Sequence, residues 1–567
     1  MASETWDFIV VGGGPAGCSI ASSLSRSPKR SKVLLIEAGS RRDEKHLRVD
    51  GQRWSTYRNA SLNWGYKTVP QEHCNGREID YSRGKALGGS TVINFCVYAF
   101  GARDDYDHWA DVVGDDIFKW DRIHARFRNL ETFNGTIVDP AHAKYASPRP
   151  EDHGSSGPLH VGYAPEWEQD LPLIIDAFIK AGLPQSSDHN SGNPIGLTLA
   201  VNTAHKGVRV TAADLLGNAP DNLTVITDAP VQRVLLEGKK TVGVESLGKK
   251  FMASKEVILS TGTLDTPKIL MHSGIGPAEQ LQKFQIPVIQ DLPAVGQGLQ
   301  DHFSTSLTFQ RNPNTNDRNI FFKDPIAMEH AMEEWENSGR GPWARHSCQL
   351  GIGWFKSDIV PTMPEFKALP TSVQEFLQRP TIPHYEIIPN SPLHMFMPEA
   401  VKDYSYTCVS GYLMNPQSRG EVRLQSSNPD EPLLFDPKFL SHTYDRAACI
   451  AVSRHLLDIC NHPAFQRDTV STLMAPASDS DEDILEYWKA NLFSIWHMTG
   501  TVKMGRQDDA GKEAAVDSRF RVFGIEKLRV ADMSVVPVIT SNHTQATAYV
   551  TGTTCAEVLK EEYKLDN

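Results

Sequence analysis

Close to the N-terminus, a glycine-rich turn stands between an apolar run and a helix-like stretch. Phe8-Ile-Val-Val11 is short and continuously apolar, the pattern of a parallel strand buried on both faces. Gly12-Gly-Gly14-Pro15-Ala16-Gly17 follows at once, and Cys18 to Ser27 carries small and apolar side chains at helical spacing. Lys32 to Glu37 reads as a second strand, which makes the whole a βαβ unit. Glycines at 12, 14 and 17 allow a tight turn and let backbone N–H groups approach a pyrophosphate at a helix N-terminus. Glu37 ends the second strand about 20 residues beyond Gly17, where a carboxylate grips an adenosine ribose. Strand, turn, helix and acid fall in the order that a dinucleotide site requires. The fingerprint alone leaves FAD and NAD open.

A chain of 567 residues exceeds one compact core, so two or more units are expected. Short β-runs with turn residues between them occupy Leu223 to Ile226, Val231 to Leu236 and Thr241 to Val244. Glu256 to Thr261 reads as another buried strand, running into Gly262. From about 310 to 485 proline is frequent and aromatic and Met residues are interspersed. That segment is too apolar for a disordered linker and reads as a second domain with an antiparallel sheet.

The net charge of -12, with no long Lys/Arg run, argues against a nucleic-acid partner. No run of 18 apolar residues occurs, so no membrane span is expected. The first strand starts near Trp6 and leaves no room for a signal peptide, so a cytoplasmic location is expected, or a secreted one if a leader was removed. The eight cysteines are scattered through apolar segments without Cys-x-x-Cys pairs or His/Cys clusters. They read as buried free thiols, and no metal site is expected.

Two longer motifs narrow the cofactor. They are Gly84-Lys-Ala-Leu-Gly-Gly-Ser-Thr-Val-Ile-Asn94 and Gly262-Thr-Leu-Asp-Thr-Pro-Lys-Ile-Leu-Met-His-Ser-Gly-Ile-Gly276. With them stand Asn63-Trp-Gly-Tyr66, Asp105-Tyr-Asp-His-Trp109 and Val295-Gly-Gln-Gly-Leu-Gln-Asp-His302. Trp496-His-Met-Thr-Gly-Thr-Val-Lys-Met-Gly505, Leu528-Arg-Val-Ala-Asp532 and Asn542-His-Thr-Gln545 follow further on. Along these motifs the chain resembles the glucose-methanol-choline (GMC) oxidoreductases, over nearly its whole length and least between about 310 and 410. Its His pair resembles the branch that includes aryl-alcohol and glucose oxidases.

The resemblance implies FAD. It implies an α/β chain (α+β overall), with a Rossmann-like FAD-binding domain over 1–160, 198–305 and 486–567. A substrate-binding domain over 161–197 and 306–485 would be built on an antiparallel sheet flanked by helices. It implies that Gly88, Gly89, Ser90 and the stretch Asn94, Phe95, Cys96 and Val97 contact FAD, and that Val231 meets the adenine through its backbone. Gly12, Gly14, Pro15, Ala16, Gly17, Glu37, Ala38, Trp64, Trp496 and Asp532 complete the expected set, with Thr544 and Gln545 steadying the flavin pyrimidine ring. Ile93 stands where some members carry a His that tethers FAD, so non-covalent FAD is expected.

The resemblance also places a catalytic His at 497 and a His or Asn at 543. Their separation, 46 positions, is slightly longer than expected for the family, and a small insertion around Asp508 to Glu513 explains it. The implied chemistry is hydride transfer from an alcohol to flavin N5, with His497 as base and His543 holding the substrate oxygen. The product is an aldehyde and, in an oxidase, hydrogen peroxide. Oxygen or another electron acceptor completes the cycle. Trp343, Trp354, Phe355, Met395, Phe396 and Phe493 either form ordinary core or suggest an apolar pocket for a primary aryl or unsaturated alcohol. The alternatives are a dehydrogenase using a non-oxygen acceptor and a redox-silent hydroxynitrile lyase that keeps FAD as scaffold.

Overall fold

The computed structural model describes residues 5–137, 139–392 and 405–566. Thr5–Val11 lies inside a seven-stranded sheet, with Val33–Ile36 parallel on one side and Lys249–Leu259 parallel on the other. Leu223–Ile226 extends the sheet beyond Val33–Ile36, and Leu528–Val530 also pairs parallel with Lys249–Leu259. Phe8 to Val11 and Val33 to Ile36 are buried throughout, as strands covered on both faces must be. The sheet is mixed, because Lys240–Ser246 and Val231–Glu237 add an antiparallel ribbon at one edge.

Helix Pro15–Ser25 follows the first strand, with Pro15 in its first turn, where a missing N–H costs nothing. It packs against the C-terminal helix Gln545–Glu562. The strands Thr5–Val11, Lys249–Leu259 and Leu528–Val530 run parallel. Their C-terminal ends, continuing into Gly12, Ser260 and Asp532, therefore open on one edge, the usual ligand crevice of such sheets.

The second sheet is antiparallel, as read from the sequence. Its order is Thr469–Met474, Phe303–Arg311, Tyr406–Leu413, Tyr385–Ser391, Gly351–Phe355 and Gly196–Leu199. Phe493–Ser494 pairs with the start of Phe303–Arg311. Helix Thr443–Asn461 covers one face of this sheet, at the strand Tyr406–Leu413. Pro389 lies within a central strand, where it cannot donate to the ladder. The register there shifts between Ile388 and Ser391, so the proline occupies an irregularity. All eight cysteines are buried and unpaired. Among the described residues, no helix is long and apolar enough to cross a membrane.

Candidate active site

The crevice between the two sheets is a cavity of about 300 Å³. It runs from the turn Gly12–Ala16, past Glu37 and Val231, to His497 and His543. The turn is built for close approach. Gly12 has φ +98, and a Cβ on Gly17 would lie 1.8 Å from the Gly12 carbonyl oxygen. Glu37 accepts the Gly13 N–H at 2.6 Å and the Gly39 N–H at 2.7 Å, so its carboxyl is fixed at the cavity edge. Burial raises its pKa to about 7 against those two hydrogen bonds. Two helices, Pro15–Ser25 and Gln545–Glu562, start on the wall, so the positive ends of their dipoles face the cavity.

Every residue expected at the cofactor lines this cavity except Gly17 and Gly88. Gly17 stands behind the turn, where it makes room for the Gly12 carbonyl. Gly88 donates its N–H to the Gly13 carbonyl at 2.7 Å, with φ +108, and braces the turn from behind. Two buried arginines hold the arc 94–97. Arg209 donates to the Asn94 carbonyl at 2.7 Å, and Arg53 to the Phe95 carbonyl at 2.6 Å. Gln545 accepts from Asn94 at 2.9 Å and donates to the Val97 carbonyl at 2.5 Å. A dinucleotide fits this wall: a glycine turn at a helix start at one end, a fixed carboxyl beside it, and an aromatic and amide-rich chamber at the other.

The two histidines meet in that chamber, with ring centroids 4.8 Å apart and nearly perpendicular. His497 is buried, and burial, with His543 nearby, holds its pKa well below the usual range. His543 Nε2 lies 2.8 Å from the Glu386 carboxyl, which is itself buried. The backbone N–H of His497 is held by Asp301 at 2.8 Å, and the second oxygen of Asp301 accepts from Ser494 at 2.6 Å. Burial raises the Asp301 pKa to about 7. Trp496 adopts φ +60, uncommon outside glycine, and is pinned from three sides. Its N–H donates to Ser494, its indole to Asp80 at 2.7 Å, and its carbonyl accepts from Arg83 at 2.8 Å.

Glu386, Asp301 and His302 escaped assignment from sequence. Asp301 and His302 end a recognised motif, but nothing in their spacing ties them to His497. Of the aromatic and Met residues expected at a substrate pocket, Phe493 lines the cavity. Trp354 does not line it; the ring is fully buried and stands edge-on behind His543 at 6.4 Å. Trp343 packs in a separate small core with Phe321, and Phe355 stacks on Tyr385. Met395 and Phe396 lie outside the described residues. The apolar wall near the histidines comes instead from Tyr57, Leu350, Ile388, Tyr412 and Ile495, with Phe95 and Phe493. The stretch 508–513, read as a small insertion, forms a short exposed turn away from the cavity.

Comparison with known proteins agrees with this architecture. The family model for the N-terminal part of GMC oxidoreductases matches residues 6–304, and that for the C-terminal part matches 416–552. Pyranose dehydrogenase 3 of Leucoagaricus meleagris is 31% identical, over 98% of this chain and 93% of its own. Alcohol dehydrogenase [acceptor] of Pseudomonas putida is also 31% identical, over 98% of this chain and 95% of its own. A solved formate oxidase of Aspergillus oryzae RIB40, studied for FAD modification, superposes over 100% of both chains with a TM-score of 0.88 at 25% identity. The chain thus belongs to the GMC oxidoreductase family and is an FAD-dependent oxidoreductase acting on CH–OH donors.

Proposed function

We propose that this chain oxidises a primary alcohol bearing an aryl or unsaturated group, with His497 as base and FAD bound without a covalent bond. The observation that carries the reading is the pairing of His497 and His543 at the apolar end of the cavity. Burial keeps His497 uncharged, so it accepts the hydroxyl proton. With a proton on each ring nitrogen, His543 donates one to Glu386 and the other to the substrate oxygen, stabilising the charge that develops there. Bound FAD supplies the two-electron acceptor for the carbon-bound hydrogen. Tyr57, Leu350, Tyr412 and Phe493 offer apolar surface and few hydrogen-bond partners, which favours an apolar alcohol over a polyol. Ile93 lines the cavity with a hydrocarbon side chain, which supports non-covalent binding. The FAD-binding unit is assigned to 1–160, 198–305 and 486–567, and the substrate unit to the remainder. Oxygen is the proposed acceptor, giving peroxide. A non-oxygen acceptor is the second reading, favoured by the names of the two sequence relatives above.

The test is anaerobic addition of benzylic, aliphatic and sugar alcohols to the holoenzyme, followed by air. Bleaching of the oxidised flavin band by benzylic alcohols supports the substrate class, and recovery in air supports oxygen. A flavin that no alcohol bleaches, while a cyanohydrin is consumed, would overturn the redox reading in favour of a lyase.

A further inference from the structure

We propose that His302 is a positioning residue that fixes which nitrogen of His497 is bare, through a relay anchored at the Met414 carbonyl. The inference rests on His497 acting as base.

The register of the second sheet sets up the contact. Phe303 pairs with Leu413 on one side and with Ser494 on the other. His302, one residue earlier, therefore sits between Met414 and the segment Ile495–His497. Its carbonyl accepts the Ile495 N–H at 3.2 Å, while Asp301 holds the His497 backbone. One dipeptide thus grips the backbone of the catalytic segment and the ring it presents.

The proton positions follow from donor and acceptor chemistry. His302 Nε2 lies 2.7 Å from the Met414 carbonyl oxygen, which can only accept, so Nε2 carries a hydrogen. A neutral imidazole has one N–H, so Nδ1 of His302 is an acceptor. That nitrogen lies 3.0 Å from His497 Nδ1, and two ring nitrogens this close need one proton between them. The proton therefore belongs to His497 Nδ1, and His497 Nε2 carries the free lone pair. A charged His302 would reverse the relay by donating from Nδ1. Burial disfavours that form and lowers the His302 pKa to about 3, with nearby His543 acting in the same direction. Asp301 makes no hydrogen bond to the His302 ring; its oxygens accept from Ser494 and from the His497 backbone N–H.

A serine protease orients its histidine with a carboxylate, which also stabilises the imidazolium. Here a neutral ring performs the orientation. It selects the tautomer and, carrying no negative charge, stabilises the protonated His497 less than a carboxylate would.

The experiment compares His302→Leu and His302→Asn in the holoenzyme. Leucine fills similar space without an acceptor, while asparagine keeps an acceptor oxygen near the Nδ1 position. Flavin bleaching at saturating alcohol is expected to slow about 100-fold in the leucine variant, the lower end of what a positioned base contributes. Alcohol affinity and FAD content should stay near wild type, and asparagine should recover the rate to within about tenfold. Equal loss in both variants, or a leucine variant within about threefold of wild type, overturns the relay. Should the leucine variant fail to fold, 15N-histidine spectra of the wild-type holoenzyme read the tautomer directly. An Nδ1-protonated His497 supports the proposal, and an Nε2-protonated one overturns it. A His497→Ala variant that keeps the wild-type rate would overturn the base reading instead, while the spectra still test the relay.

Discussion

Replacing Glu386 with Gln isolates the charge behind His543. Glu386 has no exposed surface, and its Oε1 sits 2.8 Å from His543 Nε2. Its Oε2 is buried with no hydrogen-bond partner among the described residues, so there the carboxyl serves the histidine alone. Gln preserves volume and one acceptor but removes the charge. Charge-assisted hydrogen bonds contribute roughly twice as much as neutral ones, a difference here of about 1 to 1.5 kcal/mol. If that charge is felt as the substrate oxygen becomes negative and His543 donates to it, the loss falls on the transition state. It corresponds to about 5- to 12-fold slower flavin reduction. Glu386→Ala also strands the His543 donor, and should cost about 2 to 3 kcal/mol, or about 30- to 160-fold. The assay is anaerobic stopped-flow bleaching at saturating alcohol, with thermal midpoint and FAD content as controls. A Gln variant at the wild-type rate would refute the reasoning. So would a change confined to alcohol affinity, because that marks ground-state binding alone.

Arg529 makes two hydrogen bonds to Glu256, at 2.6 and 2.8 Å, and another to Glu562, tying the strand Leu528–Val530 to the C-terminal helix. Arg529→Met leaves the buried Glu256 without its cationic partner, with only the Tyr563 hydroxyl among the described residues still donating to it at 2.9 Å, and should destabilise the fold by about 3 kcal/mol, read as a lower thermal midpoint. Burial pushes Glu562 up, but hydrogen bonds from Arg529 and Arg521 outweigh it and hold the pKa at about 2. That depressed value adds stability above the ordinary carboxylate range, lost as pH falls from about 4.5 towards about 2. Acid unfolding curves should show this loss in wild type and a smaller one in Arg529→Met. Gly17→Ala would place a Cβ 1.8 Å from the Gly12 oxygen. An overpacking cost of about 1 to 3 kcal/mol at the turn should weaken FAD about 5- to 160-fold, measured by flavin fluorescence on titration, with unchanged affinity as the contrary result.

The dinucleotide half was legible because its signals are local. A buried parallel strand is a continuous apolar run, and the turn after it needs glycines at fixed offsets, so Phe8 to Glu37 could be read residue by residue. The second sheet was harder. Tyr385–Ser391 and Tyr406–Leu413 are buried at every position, so no alternation marks them, and Pro389 argues against a central strand. The order of its strands carries no local signature.

The same division runs through the catalytic end. The amino-acid sequence by itself marked the glycine turn, and its resemblance to the family added the glycine-rich second motif and the two histidines at 497 and 543. Only the tertiary structure decided what stands behind those histidines. His302 reaches His497 across 195 positions, and Glu386 reaches His543 across 157. Which residues meet over such distances is set by strand register, where a slip of one residue would turn the side chains to the opposite face. Sequence spacing records neighbours along a helix or strand. It does not record which strand lies alongside, and the proton on His497 depends on that pairing.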